Sequence, residues 1–132
     1  MARLIAFISL LSFQALTVNG QHRAFDSLRQ ALQTSSADTA RVDILNRLSH
    51  AYYDYDSREG FRYAGEALSL ASTLDYLRGQ RHALTLMGFY YNTIGNYREA
   101  LRYYDRSSAV NLPEDDLLGY NFVMKANVYR AM

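Results

Sequence analysis

The chain has 132 residues, about one domain's worth, with 14 basic and 13 acidic residues and a formal net charge of +1. This balance provides no basic excess to attract nucleic acid phosphates, and no run of like charges indicates a tail. Cysteine is absent, which excludes disulfides and zinc sites with thiolate ligands. The single proline, Pro113, suits a mostly helical protein, because proline breaks helix interiors.

The first twenty residues have the pattern of a secretory signal peptide. Arg3 is followed by an almost wholly apolar run at 4–16 and a small residue, Gly20. The run is shorter than the about 20 residues that span a membrane. We therefore predict a signal peptide at 1–20, export to the periplasm or cell envelope, and no membrane insertion of the mature part. The alternative is an uncleaved N-terminal segment that anchors the chain in the inner membrane.

Apolar residues at helical spacing predict six helices along the rest of the chain. The first helix, at 22–33, has an apolar stripe of Phe25, Leu28 and Leu32 and is followed by a polar break. A side-chain oxygen of Asp38 or Thr39 can cap the next helix. The other five helices are predicted at 39–55, 58–74, 77–94, 97–110 and 115–132.

A six-residue motif that occurs twice predicts how these helices are arranged. Residues 58–63 have the sequence REGFRY, and residues 98–103, forty positions later, have REALRY. An internal period of this length indicates stacked helical repeats. The predicted fold class is therefore all-α, a superhelix of antiparallel helical hairpins with about two and a half repeats. The predicted divisions are an N-terminal helix and linker at 21–37, repeats at 38–76 and 77–114, and the first helix of an incomplete third repeat at 115–132.

The repeated unit resembles the tetratricopeptide repeat (TPR). In the second unit, Leu84, Met87, Gly88 and Tyr91 match the large, large, small and aromatic positions of the family's first helix. The resemblance implies that helix packing depends on a set of large aliphatic, small and aromatic residues. They are Leu48, Ser49, Tyr52, Gly60, Ala67, Met87, Gly88, Tyr91, Ala100 and Tyr104, with Ser107 at a further small position.

The period exceeds the family's usual 34 residues, which predicts longer segments between hairpins at 72–79 and 110–117. The opening of the chain is similar to the exported N-terminal region of bacterial sensor histidine kinases and membrane-bound transcriptional regulators. Asp26-Ser27-Leu28 and the segment 38–42 carry that second resemblance.

The TPR resemblance implies a concave groove lined by the first helix of each hairpin. The implied partner-binding residues are Asn46, His50, Tyr53, His82, Thr85, Phe89 and Asn92, and Asn127 and Arg130 continue the same face. A protein or peptide partner is expected there, and a solvated face without a ligand is the alternative. Repeats that clamp a C-terminal carboxylate use Lys and Arg at these positions. Here the same face has Asn46, Thr85 and Phe89, so a carboxylate clamp is not expected.

No catalytic constellation is present in the sequence, so we predict that the chain as given is not an enzyme and uses no cofactor. His50 and Asp54 are four residues apart and, with His22 or His82, could imitate a metal site. Two polar residues on a helix surface are the better interpretation, and no metal site is predicted. The predicted function is an exported peptide-binding module for protein–protein interaction. The alternative is the extracytoplasmic sensory input region of a larger histidine kinase or membrane-bound transcriptional regulator.

The last predicted helix has more apolar residues than one buried face requires. Phe122, Val123, Met124, Val128 and Met132 have no following helix to cover them. An exposed apolar patch usually marks an interface. We therefore expect self-association through this helix or a loosely held last helix. We also expect that the sequence is part of a longer protein, and the alternative is a complete chain in which the patch is an interface.

Overall fold

The computed structural model describes residues 23–113 and 116–132, and in these residues it contains six α-helices and no strand. The predicted all-α class is therefore confirmed. The predicted signal peptide at 1–20 lies outside the described residues. Within the described part, none of the helices has both the length and the apolar character needed to cross a membrane.

The helices follow the predicted order with ends that differ by a few residues. Helix α1 covers 23–34, and the other five are α2 Thr39–Tyr52, α3 Ser57–Thr73, α4 Leu77–Thr93, α5 Tyr97–Ser108 and α6 Asp116–Ala131.

Short polar side chains at three helix starts explain where those helices begin. The side chain of Asp38 accepts a hydrogen bond from a backbone N–H of α2, and Asp56 accepts two from α3. Asn96 does the same for α5. Each cap satisfies backbone donors that have no partner within the helix.

Each helix from α2 to α5 packs against the next one along the chain. In addition, α2 contacts α4, and α4 contacts α6. The three helices α2, α4 and α6 therefore lie side by side and form one face of a TPR-like solenoid. Helix α1 adds Phe25, Leu28 and Leu32 to the core cluster of the first hairpin.

Small residues let the helices of each hairpin approach closely. A Cβ atom at Gly60 would lie 2.9 Å from the backbone oxygen of Ser49, and one at Gly88 would lie 2.8 Å from the ring of Tyr104. Such distances are too short for real Cβ contacts. Ala67 is also fully buried. The aromatic and aliphatic side chains of one helix thus fill the space left by the small residues of its neighbour.

The connection between the two hairpins is shorter than predicted. Only residues 74–76 separate α3 from α4, so the expected long segment at 72–79 is wrong. The residues that lengthen the repeat lie in the helices instead, because α3 and α4 have 17 residues each. The segment between α5 and α6 is longer, since α5 ends at Ser108 and α6 begins at Asp116.

The short connection repeats the geometry of the turn between α4 and α5. The backbone N–H of Tyr76 donates to Ala71 O at 2.8 Å, and that of Asn96 donates to Tyr91 O at 2.9 Å. A hydrogen bond that closes a six-residue turn in this way needs a residue in the left-handed backbone conformation just after the helix. Gly95 supplies it in the second turn with φ +74°, whereas Asp75 supplies it in the first with φ +55°.

The last helix is better covered than its sequence predicted. Val128 is fully buried against α5, and Met124 packs beside it. The expectation that these two side chains lack cover is therefore wrong, whereas Phe122, Val123 and Met132 are exposed. Lys125 of this helix forms an ion pair with Asp105 of α5.

Candidate functional site

The face formed by α2, α4 and α6 contains a pocket of about 310 Å³. Its lining comes from all three helices, and the α4 residues recur at the spacing of one helix side. The lining residues are His50 of α2, His82, Thr85, Leu86 and Phe89 of α4, and Leu117 and Tyr120 of α6. We call this pocket and its rim the α2–α4–α6 groove.

Four residues that the sequence placed on the groove line the pocket, namely His50, His82, Thr85 and Phe89. Tyr53, directly after α2, packs its ring on Phe89, and its hydroxyl donates to Phe89 O at 2.7 Å. The same hydroxyl is hydrogen-bonded to the hydroxyl of Thr93. Burial raises the pKa of Tyr53 to about 12. Tyr53 therefore supports the wall of the groove and holds the end of α2 against α4.

Asn46 does not lie on the groove surface. Its side chain is fully buried, and Nδ2 donates to Gly79 O at 3.2 Å. A Cβ atom at Gly79 would lie 2.6 Å from Val42 Cγ1, so the glycine permits the close approach of α2 and α4. The interpretation of Asn46 as a groove-facing residue is wrong, because its amide joins two helices inside the core.

The other predicted groove residues lie beyond the pocket. Asn92 is half-buried near the end of α4, whereas Asn127 and Arg130 are exposed on α6. Arg130 Nη2 donates to Asn127 Oδ1 at 3.1 Å. None of these three residues is among the described residues that line the pocket.

Thr85 contributes its side chain to the pocket wall, but its hydroxyl belongs to a buried polar network. Thr85 Oγ1 lies 2.8 Å from Ser107 Oγ and donates to Asn121 Oδ1 at 3.0 Å. Asn121 Nδ2 donates to Ser107 Oγ at 2.9 Å. The three residues are buried and come from α4, α5 and α6. Buried polar groups need such partners, and here they fix the position of α6 beside the groove.

Arg81 is the largest of the fully buried side chains and was missed by sequence reasoning. Its guanidinium donates to Val110 O at 2.7 Å and to Leu112 O and Pro113 O at 3.4 Å. These carbonyls belong to the segment between α5 and α6. Arg81 therefore anchors the segment that leads into α6, and with it two groove residues, Leu117 and Tyr120.

The groove is mainly apolar, and the polar groups of its lining are hydroxyls and imidazoles. None of the described residues that line the pocket is a carboxylate, a lysine or an arginine. Burial, and next the nearby His50, lower the pKa of His82 below its ordinary value. The His82 imidazole is therefore neutral near pH 7, and it can both donate and accept hydrogen bonds.

The groove has the chemistry of a binding site. Leu86, Phe89 and Leu117 offer apolar area, while His82 and Tyr120 offer hydrogen bonds. In the part of the chain that the structure describes, no three His, Asp or Glu side chains lie close enough together to hold a metal ion.

Comparison with known protein families gives a match over most of the chain. The family model described as SusR N-terminal TPR domain matches residues 14–132. The matched range includes all six helices and every residue of the groove. No curated protein matches the chain.

Proposed function

Because the chain belongs to the family of SusR N-terminal TPR domains, we propose that its α2–α4–α6 groove binds a peptide segment of a partner protein. A TPR domain is a protein-interaction module, and its helical repeat fold is typically non-catalytic. The pocket that α2, α4 and α6 build jointly is the observation that supports binding in this groove.

The lining of the groove favours a peptide with a large apolar side chain. Leu86, Phe89 and Leu117 can surround such a side chain, since pockets of a few hundred Å³ with apolar walls bind in this way. His82 and Tyr120 can hydrogen-bond the adjacent peptide backbone. The low charge of the lining disfavours a strongly acidic or basic peptide.

We also propose that the module is exported and serves as the sensory input region of a membrane-bound signalling protein. The signal-peptide pattern at 1–20 and the similarity to exported N-terminal regions of regulators support this part. Expression in a bacterial host should give periplasmic protein whose intact mass corresponds to cleavage after Gly20. Full-length protein found only in the cytosol would remove the proposal of export and leave the groove proposal standing.

Selection of random displayed peptides on the chain from Gln21 onward tests the groove itself. Peptides that bind should lose at least about tenfold in affinity with Tyr120→Ala, because truncation of an aromatic side chain at an interface costs this much or more. Tyr129→Ala is the matched control. Tyr129 is on the same helix but is 60% exposed outside the pocket, so its removal should leave the affinity unchanged.

Two results would contradict the groove proposal. One is a selection that yields no binding peptide. The other is a set of peptides whose affinities change equally little with both variants, which would place their site elsewhere. Circular dichroism of both variants should first show the helical content of the parent chain.

A further inference from the structure

Two histidines face the same pocket from neighbouring helices. His50 lies in the last turn of α2, His82 lies in the first half of α4, and both line the α2–α4–α6 groove. We call them the histidine pair. Among the lining residues that the structure describes, none has a carboxylate that could balance a positive charge on either ring.

The charged groups around His82 disfavour its protonation. After burial, the largest influence on the ring is His50, whose positive charge opposes a second one. Arg78 opposes it as well, whereas Asp43 favours it. The Asp43 carboxylate, however, accepts a hydrogen bond from the Tyr76 hydroxyl at 3.1 Å and does not line the pocket. Burial and these charges together hold the pKa of His82 below its ordinary value.

Helix α6 does not balance the charge from its side of the pocket. Its lining residues are Leu117 and Tyr120, and burial raises the pKa of Tyr120, so the hydroxyl stays neutral. A proton on His82 therefore places a positive charge among apolar walls. A charge that loses water without gaining a partner is costly.

We propose that the histidine pair makes the groove release its peptide in acid. The inference rests on the proposed function of the groove and adds the condition under which binding ends. The neutral His82 ring fits beside an apolar peptide side chain. The protonated ring needs water, and a peptide that covers the pocket removes that water.

The direction of the pH effect follows from linkage. A covering peptide desolvates His82 further, so the pKa of this ring is lower in the complex than in the free chain. The complex binds fewer protons than the free chain. Its affinity is therefore complete above the ordinary histidine pKa of about 6.5 and falls as the pH drops through the pKa of His82 in the free chain. A difference of one pKa unit weakens binding by about tenfold.

Peptide affinities of the chain from Gln21, measured near pH 7.5 and near pH 5, test the release. The peptide is selected at the higher pH from a library without His, Asp or Glu and has blocked termini, so that only the chain titrates. The parent chain should bind at least about fivefold more weakly at the lower pH. His82→Gln keeps a polar side chain that is not protonated, and its two affinities should agree within about twofold. The ratio within each chain cancels any change that the substitution makes at the higher pH.

Nuclear magnetic resonance of the His82 ring gives a readout that needs no peptide. His50→Gln removes the like charge and should raise the pKa of His82, whereas saturation of the parent chain with peptide should lower it. Arg47→Gln is the matched control. It removes a positive charge from an exposed position of α2 that does not act on His82, so the pKa of His82 should not change.

Three results would overturn the proposal. A parent chain with equal affinities at both pH values would exclude release in acid, while a loss of binding with Tyr120→Ala would still support the groove. A loss in acid that persists in full in His82→Gln would place the titrating group elsewhere. An unchanged pKa of His82 in His50→Gln would show that the two histidines do not act as a pair.

Discussion

Gly88→Ala is expected to lower the free energy of unfolding by about 1–3 kcal/mol, as overpacking of a filled core does. A Cβ atom at Gly88 would lie 2.8 Å from two ring carbons of Tyr104. That ring is fully buried between α4, α5 and α6 and has little room to move. Urea unfolding followed by circular dichroism measures the change.

Gly65→Ala is the matched control for this prediction. Gly65 lies inside α3, and a Cβ atom there would meet nothing within 4 Å. Alanine is the better helix former, so this variant should raise the free energy of unfolding by about 0.5–1 kcal/mol. The same chemical change is thus expected to have opposite signs at the two positions. Shifts of the same sign and size would contradict the helix packing described above.

Arg81→Met is expected to lower the free energy of unfolding by about 2–3 kcal/mol. Methionine replaces only the aliphatic part of the arginine side chain, and it cannot donate to Val110 O, Leu112 O or Pro113 O. These carbonyls hold the segment that leads into α6. Hydrogen exchange should therefore show a greater loss of amide protection in α6 than in α2.

Arg102→Met provides the comparison for the loss of an arginine. Arg102 is exposed on α5, and its ion pair with Glu99 spans 3.4 Å at the surface. Surface ion pairs contribute little, so we expect a change below about 0.5 kcal/mol. An equally small change in the free energy of unfolding for Arg81→Met, with the amide protection of α6 retained, would show that Arg81 does not anchor the segment before α6.

The repeat pattern made most of the fold predictable from sequence. Small residues that recur at the period of the repeat indicate where helices meet, and the structure places Tyr104 against Gly88. The start of α2 was predictable because Asp38 offers a cap. The turn between α3 and α4 has the same left-handed geometry at Asp75 as the turn between α4 and α5 has at Gly95. It was not predictable from the sequence, because it contains no glycine.

The details of the site depended on contacts that a sequence does not specify. Asn46 and Arg81 are polar residues, which usually lie at the surface. They are buried here because backbone carbonyls of Gly79 and of the segment before α6 accept their hydrogen bonds. Leu117 and Tyr120 were missed as groove residues, because their place depends on how α6 packs against α4 and α5.

Nuclear magnetic resonance of the labelled chain, titrated with a peptide selected on it, tests whether a partner peptide binds in the α2–α4–α6 groove. We expect the largest amide shifts at His50, His82, Phe89 and Tyr120, all of which line the pocket, and small shifts at exposed positions of α3 and α5. Shifts concentrated on α3 and α5, with the groove unchanged at saturation, would place the peptide outside the groove and exclude the proposed binding site.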